Sequence, residues 1–282
     1  MATLSEKAEA FRRLHHGDRP LILPNAWDVP SARVFEDAGF PAVATSSAGI
    51  CVSLGYPDGE GIPRREMVAA VARIASRLAV PLSADVVAGF GRGPRGVVAT
   101  VKQFVSAGAV GINLEDYDAA RSRLFPISAQ ARKIRATVEL GRALGVPLVI
   151  NARTDALWKG SGSPEALLRE AIRRGIAYRD AGADCVYPMR LTAAESIRTF
   201  VGEVACPVNV MVRPGLPTLP ELTELGVQRI SFGPGASYAA MGLLRRIGAE
   251  VRSEGSFRQL LEGAISFDEL NQLASARPVP PP

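Results

Sequence analysis

Histidine is almost missing from this sequence. Its 282 residues include only two, His15 and His16, side by side near the N-terminus. The body of the chain therefore cannot supply a histidine base or a Ser-His-Asp triad, and the pair is expected to be solvated at a helix end. Cysteine is scarce as well. Cys51, Cys185 and Cys206 lie far apart without metal-ligand spacing, and two of them sit in apolar, strand-like runs. They are expected to be small buried hydrophobes in a reducing cytosol rather than a redox pair. Aromatic residues make up only 6%, so stacking platforms for bases are lacking, and the arginines behind the net charge of +5 are scattered rather than striped. That argues against a nucleic-acid partner, while a mild positive bias suits an anionic small substrate. No apolar run reaches the length of a membrane span. The opening MATLSEKAEAFRRLHHG lacks the apolar core of a secretory signal, so a cytoplasmic location without a membrane partner is expected. A dinucleotide fingerprint is absent too: Gly89, Gly91 and Gly93 form no full GxGxxG, and no acid stands at the required distance.

What is present is a repeat. Four segments run from proline into an apolar strand: Pro20-Leu21-Ile22-Leu23, Pro81-Leu82, Pro147-Leu148-Val149-Ile150 and Pro207-Val208-Asn209-Val210. Four others run from a helix end through glycine into a strand. They are Gly39 before Ala42-Val43-Ala44, Gly108 before Val110-Gly111-Ile112, Gly182 before Cys185-Val186-Tyr187, and Gly226 before Arg229-Ile230-Ser231-Phe232. The two classes alternate strictly, with glycine as the helix C-cap and proline at a strand entrance, where no ladder donor is lost. Amphipathic helices fill the gaps, one of them opened by Ser163-Pro164 as cap and first residue. Eight strands alternating with eight helices predict an α/β fold, a (β/α)8 TIM-type barrel, with an open doubly wound sheet as the competing layout. Alternate strands feeding alternate interior layers would explain the two strand classes. Residues 2–17 add an N-terminal helix able to plug the barrel bottom. Residues 255–276 add a C-terminal helical arm whose Phe257, Leu260, Leu261, Phe267 and Leu270 need a surface, possessed in this reading by a neighbouring subunit. Residues 1–276 then form one domain, and 277–282 a disordered proline-rich tail.

In such a barrel the reactive groups belong at the carboxyl ends of the strands. Those ends carry Asn25-Ala26-Trp27-Asp28, Thr45-Ser46-Ser47, Asp85, Glu115-Asp116, Asn151-Ala152-Arg153-Thr154-Asp155, Asn209 and Gly233-Pro234-Gly235. Carboxylates converging from the third and fourth strands need a counter-charge, which Mg²⁺ would supply. Arg153 would grip a substrate carboxylate in bidentate fashion, and Ser46 and Ser47 would hold another anionic group. A metal with carboxylate-binding donors suits a small 2-oxo acid and an enolate formed as a bond beside its ketone breaks.

Seven collinear motifs then carry a resemblance: PNAWD at 24–28, TSS at 45–47, LGYPDGE at 54–60, SAD at 83–85, NLED at 113–116, NARTD at 151–155 and PVNVM at 207–211. Together they resemble the isocitrate lyase and phosphoenolpyruvate mutase superfamily. The resemblance implies a (β/α)8 barrel, Mg²⁺, an α-oxo-carboxylate substrate or product, and carbon–carbon or phosphorus–carbon bond chemistry. It also implies a homotetramer built from dimers that swap a C-terminal helix. By family match Asp85 is the direct metal ligand, and Asp58 and Glu115 hold metal-bound waters. Ser46, Ser47 and Arg153 bind the substrate carboxylate, with Asn209 and Trp27 as further substrate contacts and Asp58, Glu115 and Arg153 as the catalytic set. Two departures accompany it. The usual second acid is replaced by Val87, which predicts weaker Mg²⁺ binding. The Lys-Lys-Cys-Gly-His loop of the lyases is replaced by residues 117–125, without cysteine, lysine or histidine. The expectation is a Mg²⁺-dependent lyase-type enzyme of a 2-oxo acid or dicarboxylate. The alternatives are a phosphonopyruvate mutase or hydrolase, and a 2-oxo-acid-binding member with weak catalysis.

Overall fold

Eight parallel strands close into a ring in the computed structural model, which describes residues 2–91 and 93–275. They are β1 (Leu21–Leu23), β2 (Val43–Thr45), β3 (Leu82–Asp85), β4 (Gly111–Glu115), β5 (Val149–Thr154), β6 (Cys185–Pro188), β7 (Asn209–Met211) and β8 (Arg229–Ser231). Beyond Pro24 the first strand resumes as Asn25–Ala26, which pairs with β2, while Leu21–Leu23 pairs with β8. Ladders join β2 through β6 in sequence order, a single bridge from Val186 to Val208 joins β6 to β7, and β7 pairs with β8. Closure settles the choice against an open sheet, because no strand is left as an edge. The tail expected at 277–282 lies outside the described residues. Among the described residues no helix is long and apolar enough to cross a membrane.

The local chemistry of the sequence explains why the outer ring forms where it does. Helices α1 (Leu4–Arg13) and α2 (Val29–Asp37) open on capping boxes made by Thr3 with Glu6 and Asp28 with Ser31. Then come α3 (Ser47–Ser53), α4 (Arg64–Ala75), α5 (Gly93–Ser106), α6 (Ile127–Ala143), the short α7 (Ala156–Lys159) and α8 (Pro164–Asp180). Ser163 caps α8 through the Ala166 amide, with Pro164 at its first position, as the sequence predicts. The chain continues with α9 (Ala194–Val204), α10 (Leu219–Glu224), α11 (Gly235–Glu254), α12 (Arg258–Leu261) and α13 (Phe267–Ser275). The glycines ahead of β2, β4, β6 and β8 all take the left-handed conformation that ends a helix cleanly.

Helix α1 closes the amino-terminal mouth of the ring. Phe11 is fully buried and lies so close to Gly111 that a Cβ there would stand 2.5 Å from the ring. Arg12 donates to the Pro147 and Leu148 carbonyls at the entrance of β5 and pairs with Asp184 at 3.0 Å. His15 corrects the expectation of a solvated pair. The turn after α1 folds it inward to 1% exposure, edge-on to Phe11, with Nδ1 2.9 Å from the Phe11 carbonyl. His16 alone faces solvent. Cys51 and Cys185 are buried and Cys206 is partly so, all as free thiols.

Candidate functional site

The carboxyl ends of the strands surround a cavity of about 420 Å³. Asp85, the last residue of β3, is oriented there by its neighbours. Its Oδ1 accepts from the Val87 amide at 3.2 Å and from Asn113 Nδ2 at 3.2 Å, and its Oδ2 from the Ser47 amide at 3.3 Å. Asn113 in turn accepts from Asn151 Nδ2 at 3.0 Å, so one chain of amides links β3, β4 and β5. Asp58, on the loop between α3 and α4, accepts from the Ser47 hydroxyl at 3.3 Å. Ser47 thus touches both carboxylates. Burial, and then the proximity of Asp85, holds the Asp58 carboxyl above its ordinary range.

Arg153 on β5 faces the same cavity but is already engaged. Its Nε and Nη2 reach the two oxygens of Asp155 at 2.6 and 2.9 Å, and its Nη1 stands 3.1 Å from Glu115. The bidentate edge expected for a substrate is therefore spent on Asp155, leaving the outer N–H groups of Nη1 and Nη2 for a ligand. Trp158 and Tyr187 lie beside the guanidinium, with ring centroids 5.7 and 5.9 Å away. Glu115 is buried, and desolvation lifts its carboxyl to about 8 against the pull of Arg153.

Ser46, Ser47, Asp58, Asp85, Arg153 and Asn209 all line the cavity, so six of the eight expected site residues meet in one place. Glu115 and Trp27 do not line it. Glu115 stands beside Arg153, its carboxylate 3.1 Å from Nη1, and near enough to Asp85 and Asp58 for their charges to act on it. Trp27 stands at the turn into α2: its amide donates to the Ser31 hydroxyl, its side chain packs against the core, and its Cβ would stand 2.8 Å from a Cβ at Gly49 of α3. Asn25, two residues earlier, takes the inward position. Its Oδ1 accepts from the Phe232 and Gly233 amides at 2.9 Å each, fixing the turn after β8.

The sequence reading assigns no role to Asn113, two residues before Glu115 on β4 and so on the same face, or to Asp155, the residue just past the end of β5. Arg190 and Arg213, on the loops after β6 and β7, also line the cavity and were not anticipated. Neither forms an ion pair among the described residues; Arg190 stacks 4.7 Å from the Trp158 centroid and has a left-handed backbone, φ 72°. The stretch that replaces the lyase loop forms a small hairpin, Tyr117–Asp118 against Arg123–Leu124, tied by an Asp118–Arg121 pair at 2.8 Å.

The donor set fits magnesium better than a softer ion. Among the described residues no three His, Cys, Asp or Glu side chains gather into a metal cage. Two carboxylates with a hydroxyl beside them, all oxygen, are what Mg²⁺ uses when waters and substrate oxygens complete its shell.

Comparison with known proteins places residues 11–252 within the phosphoenolpyruvate phosphomutase family model. Over 280 residues the chain is 28% identical to 2-methylisocitrate lyase of Escherichia coli (strain K12), covering 95% of this chain and 92% of that one. A crystal structure from Burkholderia cenocepacia J2315 superposes with a TM-score of 0.89 at 36% identity over 98% of both chains. Phosphonopyruvate hydrolase in complex with oxalate and Mg²⁺ superposes with a TM-score of 0.82 at 29% identity, over 95% of this chain and 94% of that one.

Proposed function

From the premise that the chain belongs to the isocitrate lyase and phosphoenolpyruvate mutase superfamily, and is an enzyme of its lyase, mutase and hydrolase type, we propose that it cleaves a carbon–carbon bond in a small 2-oxo acid or dicarboxylate with Mg²⁺ as cofactor. One observation carries this reading: Asp58 and Asp85 face Arg153 across a single cavity of small-ligand size. Asp85, with the Ser47 hydroxyl beside it, would hold the ion directly and Asp58 would hold it through a bound water; the ion would stabilise negative charge developing on a keto oxygen.

The remaining work falls to the chain's own side chains. The outer N–H groups of Arg153 and the Ser46–Ser47 corner bind the carboxylate next to the ketone. Asp155 fixes the guanidinium plane. Glu115, 3.1 Å from Nη1 and with its carboxyl raised by burial, backs the guanidinium from the other side. Asp58, in the cavity wall with a raised carboxyl, is the group placed to take up and return a proton. Arg190 and Arg213 give the far end of the cavity positive charge, which favours a substrate with a second anionic group.

The likeness to phosphonopyruvate hydrolase, with the hairpin at 117–124 that lacks cysteine, keeps a second reading open, in which the bond broken is phosphorus–carbon. Turnover of oxaloacetate, methylisocitrate, isocitrate and phosphonopyruvate, with and without Mg²⁺ and followed by NMR, separates them. Mg²⁺-dependent cleavage of one of the first three supports the main reading. Phosphate release from phosphonopyruvate supports the second. Tight binding with no turnover of any would assign the chain to binding alone.

A further inference from the structure

At the opposite depth of the same cavity stands Arg229, the first residue of β8. It is 2% exposed and has no carboxylate within ion-pair distance among the described residues. Its polar contact is Nη1 to His15 Nε2 at 3.4 Å, and its Nε–H is buried with no hydrogen-bond partner. That histidine supplies no charge. With Nδ1 donating to the Phe11 carbonyl, Nε2 is the bare acceptor of a neutral ring, and burial beside Arg229 lowers its basicity to about 3. Besides the Phe11 ring, 5.8 Å away, the ionisable groups nearest the guanidinium are Cys185 and Tyr187, and burial keeps both protonated. An arginine does not shed its proton, so an unpaired guanidinium inside a barrel carries a large desolvation cost. Around it the wall is polar. Asn209 Nδ2 donates to Ser231 Oγ at 3.1 Å, which leaves the Ser231 hydroxyl hydrogen free to point into the cavity.

We propose that this floor is an anion site: Arg229, helped by the Ser231 hydroxyl, binds one small monovalent anion, a halide or a carboxylate group, inside the barrel on the α1 side of the substrate cavity. The occupant neutralises Arg229 and fills the polar space that the strand side chains leave. The site stands on Arg229 and its surroundings, independently of the reaction proposed above.

Crystals of the full chain soaked in sodium bromide test it directly. An anomalous peak in contact with the Arg229 guanidinium is the expected result. In solution, chloride replacing gluconate at constant ionic strength should raise the melting temperature by about 3 °C. Arg229→Met should abolish that response. If Arg229→Met does not fold, the bromide density of the natural chain decides. Bromide displaced by 2-oxoglutarate identifies the far carboxylate of a ligand as the occupant, and bromide retained identifies a resident halide; the site stands in both cases. Water alone against Arg229, with a melting temperature indifferent to chloride, overturns the proposal, as does bromide found only at Arg190 and Arg213.

Discussion

A neutral imidazole wedged between a phenyl ring and a guanidinium makes His15 a liability in acid. Its basicity falls from 6.5 to about 3 on folding, so between those values the unfolded chain binds the proton and the folded chain does not. Stability is therefore complete above pH 6.5 and declines as the pH drops toward 3, by at most about 5 kcal/mol. His15→Gln should flatten the dependence of urea midpoint on pH between 4.5 and 6.5; an unchanged slope would show that His15 does not titrate with unfolding. None of this was legible in the sequence, where two adjacent histidines at a helix end look alike. Only the inward turn after α1, set by Phe11 against Gly111, tells them apart. The legible residues were those with a chemical reason to stand at a strand end. Asp85, Arg153, Ser46, Ser47 and Asn209 needed only the strand boundaries to be placed. Asp58 sits on a loop, so only its motif pointed to it. Trp27 belongs to a motif that also starts a helix: Asp28, the next residue, caps α2, and the indole packs against the core. Val87 shows a different limit: it is buried with a left-handed backbone, φ 51°, unusual for a β-branched residue, and no sequence pattern signals that strain.

Among the elements, α8 does more than cover the sheet. Its Arg174 donates to Asp116 at 3.0 Å and to the Phe125 carbonyl at 2.9 Å, and its Tyr178 hydroxyl donates to Asp116 at 2.6 Å. Asp116 accepts the Asp155 amide on its other oxygen at 2.9 Å. One buried carboxylate thus links the end of β4, the partner of Arg153 and the closing residue of the hairpin to a helix on the outside of the barrel. Removing the cation leaves that carboxylate uncompensated. Arg174→Met should cost about 3–5 kcal/mol in urea denaturation, and Tyr178→Phe about 1–2 kcal/mol. A loss below about 1 kcal/mol for Arg174→Met would mean that Asp116 is satisfied without it. The eight strands were readable because proline and glycine punctuate each entrance. The hairpin at 117–124 and the short helices α3 and α7 were not, since none is long enough to show a period. The cap that starts α3, Ser46 on the Gly49 amide, lies within a stretch that also serves the site.

At the scale of the whole molecule, two features reach beyond the barrel. The arm after α11 returns to α2, where Leu273 is buried and its carbonyl accepts from Arg33 at 3.0 Å. Yet Leu261 and Phe267 remain 74% and 83% exposed. Apolar side chains so placed predict a homo-oligomer in which this arm meets a second copy. Light scattering should give a mass above that of one chain, and Phe267→Asp with Leu261→Asp should reduce it; a monomeric natural chain would contradict this. The second feature is convergence itself. Acids from the β3 end and the α3–α4 loop meet a guanidinium from β5 around one cavity, and the proposed chemistry depends on their acting on a single ligand. Calorimetric titration of oxalate, with and without Mg²⁺, into the natural chain, Asp85→Asn and Arg153→Ala tests that most directly. Binding that requires Mg²⁺ and weakens by about tenfold or more in each variant is the predicted result. Oxalate binding that is indifferent to Mg²⁺, or unaltered in both variants, would contradict it.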